Sequence, residues 1–587
     1  MPATTVSRGT TTLLLVVVVL LPSVSALALG ATPQRNLYLG IDLSTQSATA
    51  VVLDPGLAVV ESRFVNFDEE LPAYGTSAGM TVGEGGVVTS STRMWLEAMD
   101  LLMGKVQETG LLPRVAAISC SGQQHGSVYW TADGEASLKT PAAGAAGFAD
   151  LLPDGAFASE ASPIWADSST GAQCDALERA LGGPAAVAEL TGSRAYARFT
   201  GNQFAAFAER TPALWEQTSR VSLVSSFAAS LFLGAVAPID YSDGSGMNLM
   251  DISSRSWAPT VLSSAAMPAG LGAKLAAPDF SAEPAPSHAV LGPVSAFVAQ
   301  RWGFDAECAV VASSGDNCCA VAGLGLSREG DLALSMGTSD TLLGVGAAAT
   351  ATPALDGHVL AHPTSPDQVM LMLCYKNGGA VRERLRDEIV GPSWDKFDAA
   401  LAASAPGNGG LLGLTLDLPE ITPEIDRVGS WHVDAQGAPV AAAALTAEQR
   451  VRAAIEGRFL SMRSHGKKLG LSSASRVLAT GGGSKSSQIL QVAADVFNAP
   501  VLVADTPDAA AVGAARRAAH ALHVSAEHGG AVDAAPYESF LVDCGVDNDA
   551  TLEVAAKPRP DAGDVYPDAL VTRYEGFEAV VRARELD

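Results

Sequence analysis

Residues 38–47 read YLGIDLSTQS: an apolar run ends on Asp42 and breaks into a turn of Ser44, Thr45, Gln46 and Ser47. A second apolar run, ATAVVLD, follows at once, so the segment reads as a β-hairpin, which VVESRFVNF extends into a meander. The same device returns at residues 332–347, LALSMGTSDTLLGVGA, where one apolar run leads through Gly337, Thr338 and Ser339 into another. Two copies of strand, hydroxyl turn and strand are expected of duplicated domains facing a shared cleft, although Gly/Ser/Thr hairpins also arise independently.

Between and after the hairpins, strands alternate with helical patterns. STRMWLEAMDLLMGKVQETG is an amphipathic helix opened by Ser/Thr, and VAAISCSG is a strand entering the turn SGQQHG. AVVASSGDN is a strand running into a turn, with a helix expected from NCCAVAGLGL. Residues 477–497, VLATGGGSKSSQILQVAADVF, give a strand, three glycines and a helix. This segment is similar to a phosphate loop but departs from the Walker A pattern, since Ser484 precedes Lys485 where glycine is required. Beyond residue 522 the chain turns acidic and Pro-bearing, and VYPDALVTRYEGFEAVV reads as a last helix packed on the body.

At 587 residues the chain is too long for one core. The divisions expected are a leader at 1–30, an N-terminal lobe at 36–305, a C-terminal lobe at 306–525, and an acidic segment with a final helix at 526–587. A net charge of −26, with no basic stripe, excludes nucleic acid as the natural partner. The seven scattered cysteines lack zinc-site spacing and suit buried, reduced thiols. The first thirty residues carry Arg8, the apolar block Leu13–Leu21 and small residues around Ala26 and Ala28. That layout is a secretory or targeting leader whose block is too short to span a bilayer, so no membrane association is expected of the mature chain. Thiols and apparent nucleotide chemistry point to the cytoplasm; the leader offers a secretory or plastid route as the alternative.

Several side chains could carry chemistry. Asp316, at a strand end before a helix, reads equally as a helix N-cap or as a general base, with Asn317 beside it. Asp42 is a turn former or a carboxylate anchoring Mg²⁺ through water. His125, in a glycine-flanked turn, is a satisfied loop histidine or a sugar ligand. Asp167 and Arg198 could bind hydroxyls or form an ion pair, while Trp165 and Phe199 read as packing.

Taken in order, YLGIDLSTQS, SGQQHGSVYW, WADSSTGAQC, LTGSRAYARFTGNQ, DYSDGSGMN, SSGDN, SMGTSDTL and ATGGGSKSSQILQ resemble the motifs of the FGGY carbohydrate kinases, most closely the xylulose kinases of eukaryotes. The resemblance runs from about Leu37 to the last helix. It implies an α/β, two-lobed actin-like ATPase fold, ribonuclease H-like, with a central ligand cleft, and ATP-dependent phosphorylation of D-xylulose. It implies Asp316 as general base, and His125, Arg198, Asp316 and Asn317 as ketose ligands. Thr45 and Thr338 fall in the two phosphate motifs, Trp394, Gly482, Gly483 and Ser486 match ATP positions, and Asp42 lies near the metal. ATP and Mg²⁺ are the implied cofactors, and a homodimer is among the assemblies expected. A related ketose or polyol kinase (ribulose, glycerol) or a non-catalytic sugar or nucleotide sensor of the same fold are the alternatives. Three departures stand out: Ser44 where most of the family has Gly, although the eukaryotic xylulose kinases share the Ser; Ser486 where the nearest relatives carry Asn; and the N-terminal leader, unusual for an enzyme of cytosolic sugar metabolism.

Overall fold

The computed structural model describes residues 35–586, except 472, 504–507 and 547–551. The expected leader therefore lies outside the described residues. Two seven-stranded sheets organise the chain. The first holds β1 (Leu37–Leu43), β2 (Ser47–Leu53), β3 (Val59–Asn66), β4 (Val115–Gly122), β5 (Val290–Pro293), β6 (Ala309–Val311) and β7 (Ser314–Gly315). The second holds β8 (Asp331–Met336), β9 (Asp340–Ala347), β10 (His358–Ala361), β11 (Gln368–Tyr375), β12 (Arg476–Thr480), β13 (Val501–Val503) and β14 (Glu553–Ala556).

The two sheets share one pairing scheme. In the first, β1–β2–β3 is an antiparallel meander, and β1 also runs parallel to β4, which runs parallel to β6. In the second, β8, β9 and β11 are antiparallel neighbours, while β8 runs parallel to β12 and β12 to β13. Both hydroxyl turns thus join the first two strands of an equivalent meander, so the hairpin echo in the sequence marks a repeated architecture. The parallel partners β4 and β12 also end at the turns, which gathers strand carboxyl ends where ligands bind in open α/β sheets.

The labelled helices are α1 (Thr92–Gln107), α2 (Asp316–Gly323), α3 (Gly379–Ile389), α4 (Trp394–Ala403), α5 (Ala447–Lys468), α6 (Ser487–Phe497), α7 (Ala509–His528) and α8 (Asp568–Arg582). Ser91 caps α1 by accepting the Met94 N–H, and α1 buries Met94, Trp95, Leu96, Met99, Leu102 and Met103 in the core of the first sheet. Helix α8 packs Val571, Tyr574, Phe577 and Val581 into the core of the second.

The division expected at 305/306 does not follow the sheets. Strands β6 and β7, residues 309–315, pair with β4 and belong to the first sheet. Its last strand ends immediately before α2, which packs Cys318 and Val321 with Leu343, Val345 and Met370 of the second sheet. Helix α7, from within the expected second lobe, lies on the first sheet, burying Ala511 and Ala515 with Val51 and Leu53. Absent side chains permit this crossing: a Cβ on Gly40 would sit 1.9 Å from the Ala511 carbonyl, and one on Gly513 would sit 1.7 Å from that of Cys319. Local hydrophobic periodicity carries no information about which sheet a strand joins, so the boundary was not visible in sequence. No helix among the described residues is long and apolar enough to cross a membrane.

Candidate active site

A cavity of about 480 Å³ lies between the ends of the two sheets, within the ~300–1,000 Å³ range of small-molecule sites. Thr45, Gln124, His125, Trp165, Arg198, Asp316 and Asn317 line one side; Ser339, Thr341, His358, Cys374 and Lys376 line the other.

Asp316 opens α2 as its first helical residue, and the N-cap position belongs to Gly315. The N-cap reading of Asp316 is thereby corrected: its carboxylate is left to face the cavity. Its Oδ1 accepts the Asn317 N–H at 2.7 Å and the Asn317 side-chain amide at 2.9 Å, and that amide also reaches Gln124 Oε1 at 3.0 Å. Burial, and then the nearby Asp42 carboxylate, push the Asp316 pKa up to about 7, while the bonds from Asn317 oppose the rise. A carboxylate so placed is oriented by its neighbours and basic enough to take a proton near neutral pH.

Asp42 is the penultimate residue of β1, level with Ser121 of β4, which is in turn level with Ser314 of β7. The Ser44 hydroxyl donates to Asp42 Oδ2, so the serine that replaces the usual glycine orients this carboxylate. Asp42 Oδ1 is buried and has no hydrogen-bond partner among the described residues, and burial raises its pKa. An orphaned carboxylate oxygen, charge-coupled to Asp316 beside a phosphate-type turn, fits a divalent cation. Mg²⁺ suits it best, because that ion takes one or two carboxylates and fills its remaining positions with phosphate and water. The single group of three metal-ligand residues found among the described residues, His523, Glu527 and His528, lines no part of the cavity.

On the side of the first sheet, His125 adopts a positive φ of 64°, which turns its buried ring toward the cavity. Burial, His358 and Arg198 push its pKa down to about 3, so the ring is neutral. Nδ1 lies 3.1 Å from the Gly246 carbonyl, which only accepts, so the proton sits there and Nε2 is an acceptor for a hydroxyl. Phe199 packs on His125 at 4.7 Å, as its packing role required. Arg198 lies over Trp165 at 5.7 Å and Tyr196 at 5.8 Å and points its charge into the cavity.

Two expectations fail here. Trp165 is not core packing: it is 38% exposed, lines the cavity, and donates its indole N–H to Thr45 Oγ1 at 2.8 Å. Asp167 forms no ion pair among the described residues and lines no part of the cavity. Buried, it accepts the Val88 N–H at 3.0 Å, the Gln203 amide at 2.9 Å and the Ser169 hydroxyl at 2.8 Å, which ties the loop together.

The second turn, Gly337–Ser339 with exposed Thr338, is fixed from behind by Asp340, whose buried carboxylate takes both Arg382 N–H groups at 2.6 and 2.9 Å. Nearby, Gly481 holds φ 80°, and a Cβ there would sit 2.8 Å from the Met336 carbonyl oxygen, while a Cβ on Gly482 would meet nothing, leaving that face of the turn open. Ser486 caps α6, accepting the Ile489 N–H at 3.1 Å and donating to Asp398 at 2.7 Å. Asp398 lies one turn beyond Trp394, which is 40% exposed with the Arg386 guanidinium 4.6 Å over its ring. The structure thus brings Gly482, Gly483, Ser486 and Trp394 to one neighbourhood, separate from the cavity-lining His125, Arg198, Asp316 and Asn317. Ser486→Ala should cost about 1 kcal/mol of stability through the lost cap, measurable by urea denaturation, whereas Ser486→Asn should keep most of it.

Residues 161–323 match the FGGY family of carbohydrate kinases, N-terminal domain, and residues 332–522 its C-terminal domain. Xylulose kinase of Mus musculus is 43% identical over 562 residues, 94% of this chain and 95% of that protein. The chain belongs to the FGGY family of carbohydrate kinases. Xylulose kinase 2 of Arabidopsis thaliana is 41% identical over 83% of this chain and 88% of its own. A crystal structure of xylulose kinase from Rhodospirillum rubrum superposes with a TM-score of 0.72 at 18% identity, over 93% of this chain and 99% of that one, a likeness of fold. The FGGY kinase fold is two-lobed and actin-like, which accounts for the repeated sheet and for a cavity walled by both halves. Gln124, Trp165, Tyr196, His358 and Lys376 were not singled out as site residues from sequence. Gln124 sits beside His125 in the same glycine-flanked turn, and Trp165 and Tyr196 lie within the quoted motifs WADSSTGAQC and LTGSRAYARFTGNQ, whereas His358 and Lys376 carried no local signal.

Proposed function

We propose that the protein transfers the terminal phosphoryl group of ATP to the C5 hydroxyl of D-xylulose, giving D-xylulose 5-phosphate, with Asp316 as general base. The observation that carries this reading is the placement of Asp316, raised to about 7, in a cavity shared by the His125–Arg198 wall and the Ser339 turn. The identity to xylulose kinases supports the choice of sugar.

His125 Nε2 and Arg198 hold the ketose hydroxyls and carbonyl, and Asn317 keeps the Asp316 carboxylate aligned. Asp316 takes the hydroxyl proton while the sugar oxygen forms its bond to phosphorus, and the electron pair of the breaking P–O bond leaves on ADP. The backbone N–H groups of Thr45 and Gln46 in the first turn and of Thr338 and Ser339 in the second serve the phosphates, the Gly482–Ser486 turn and Trp394 hold the adenosine, and Asp42 would anchor Mg²⁺. When bound, Mg²⁺ would neutralise phosphate charge; catalysis otherwise rests on positioning and electrostatics. The free, buried or half-buried cysteines fit a reducing compartment, and the cytoplasm is proposed.

ADP release measured in a coupled assay across D-xylulose, D-ribulose, xylitol and glycerol tests the reading. D-Xylulose should exceed the others in kcat/KM by about tenfold or more, because a site built to pair hydroxyls penalises misplaced ones. Preference for ribulose or glycerol overturns the substrate assignment, and ATP binding without sugar-dependent ADP release overturns the kinase reading.

A further inference from the structure

Lys376 stands where β11 leaves the second sheet. The antiparallel register pairs Thr341 with Cys374 and Asp340 with Tyr375, and its next step sets Ser339 opposite Lys376. Thr341, Cys374, Ser339 and Lys376 all line the cavity, as period-two alternation on paired strands requires. The lysine therefore projects into the cavity beside the second phosphate turn, in the same enclosure as Asp316 and Asn317.

Among the described residues, no carboxylate forms an ion pair with the Lys376 ammonium and no acceptor takes a hydrogen bond from it. Two charged groups act on it. Glu420 is already engaged: one oxygen accepts the Lys376 backbone N–H at 2.7 Å, and the other meets Arg458 at 3.0 Å. Arg198 is a second cation facing the same cavity. Burial and then Arg198 lower the Lys376 pKa, with Glu420 opposing. The Lys376 ammonium thus stands in the enclosure with no ion-pair partner of its own, since Glu420 is committed to Arg458. A neutral ketose offers it no counter-charge, whereas a phosphoryl group does. Lysine suits this work because its ammonium is a compact point charge on a flexible stem.

We propose that Lys376 is a catalytic residue: its ammonium contacts the phosphoryl group during transfer from ATP and then the phosphate of the sugar-phosphate product. Lys376 keeps its proton throughout, and the proton from the sugar hydroxyl goes to Asp316 as described. The inference rests on the kinase reading and adds to it a side-chain charge for the phosphoryl group.

The test compares the full-length wild type with Lys376→Met and, should that variant fail to fold, Lys376→Gln. Sugar-dependent ADP release is combined with calorimetric affinities for D-xylulose and D-xylulose 5-phosphate. Loss of the charge should lower kcat by about two to three orders of magnitude, the scale of one transition-state charge donor. Affinity for D-xylulose should stay within about twofold, and affinity for the 5-phosphate should fall by about tenfold or more. Lys376→Arg should recover part of both losses. Unchanged kcat, or equal weakening of sugar and sugar phosphate, would overturn the inference while leaving the kinase reading in place. A wild type that releases no ADP with sugar overturns both.

Discussion

Asp316→Asn should lower kcat by about two to four orders of magnitude while KM for D-xylulose moves by less than about threefold. Asparagine keeps the shape and can still hydrogen-bond a hydroxyl, but it cannot take a proton near neutral pH. The carboxylate's geometry is set by Asn317 and, through it, by Gln124, so the substitution leaves the surrounding walls in place. The same variant should be more stable than wild type at pH 8. Because the folded-state pKa is raised to about 7, the folded protein holds this proton more tightly than the unfolded chain does. Stability from the neutral form is fully present below the unfolded value near 4 and is lost as pH rises through about 7. Asn removes that loss, a gain on the order of 1–2 kcal/mol at pH 8 after allowance for screening by cleft water, and of nothing near pH 4. Thermal melts at the two pH values read the difference.

Arg382→Met is expected to destabilise the protein by about 3–5 kcal/mol, because it strands the carboxylate of Asp340, which is fully buried. Both Arg382 N–H bonds to Asp340 fix the strand that follows the second phosphate turn, and Arg382 also approaches the Gly337 carbonyl at 3.4 Å. Weakening that support should raise KM for ATP by about tenfold or more while changing KM for D-xylulose far less, since a misplaced turn costs positioning of the phosphates. Adding Asp340→Leu to the variant should return much of the stability measured by urea denaturation, without returning ATP affinity. That split separates the cost of a buried unpaired charge from the turn's work on phosphate.

The hairpins were legible because each is local: apolar alternation, a hydroxyl turn and a return strand all lie within about twenty residues. The amphipathic span and cap of α1, and the strand, glycine turn and helix around Gly482, were legible for the same reason. What sequence hid was non-local. Strands β6 and β7 reach the first sheet only through pairing with β4, far earlier in the chain. Helix α7 lies on that sheet at Gly40 and against α2 at Gly323 and Gly513 because these residues lack side chains, and each looks like an ordinary glycine when read alone. The site divides in the same way. Asp316 and His125 stood out at strand ends, but that Asp316 is not the helix cap depended on Gly315 taking that position. Trp165 read as packing because an aromatic among apolar neighbours gives no sign that its indole N–H meets Thr45 on the cavity wall. Lys376 gave no signal at all, since its place opposite Ser339 follows from strand register.

The pH dependence of kcat/KM for D-xylulose at saturating ATP tests most directly whether Asp316 takes the proton. The expected profile falls about tenfold per pH unit on its acid side. Its midpoint should be displaced from the ordinary carboxylate range toward about 7, and the limb should be absent from the residual activity of Asp316→Asn. A wild-type profile level from about pH 5 to 8, or an acid limb that persists unchanged in the variant, would contradict it.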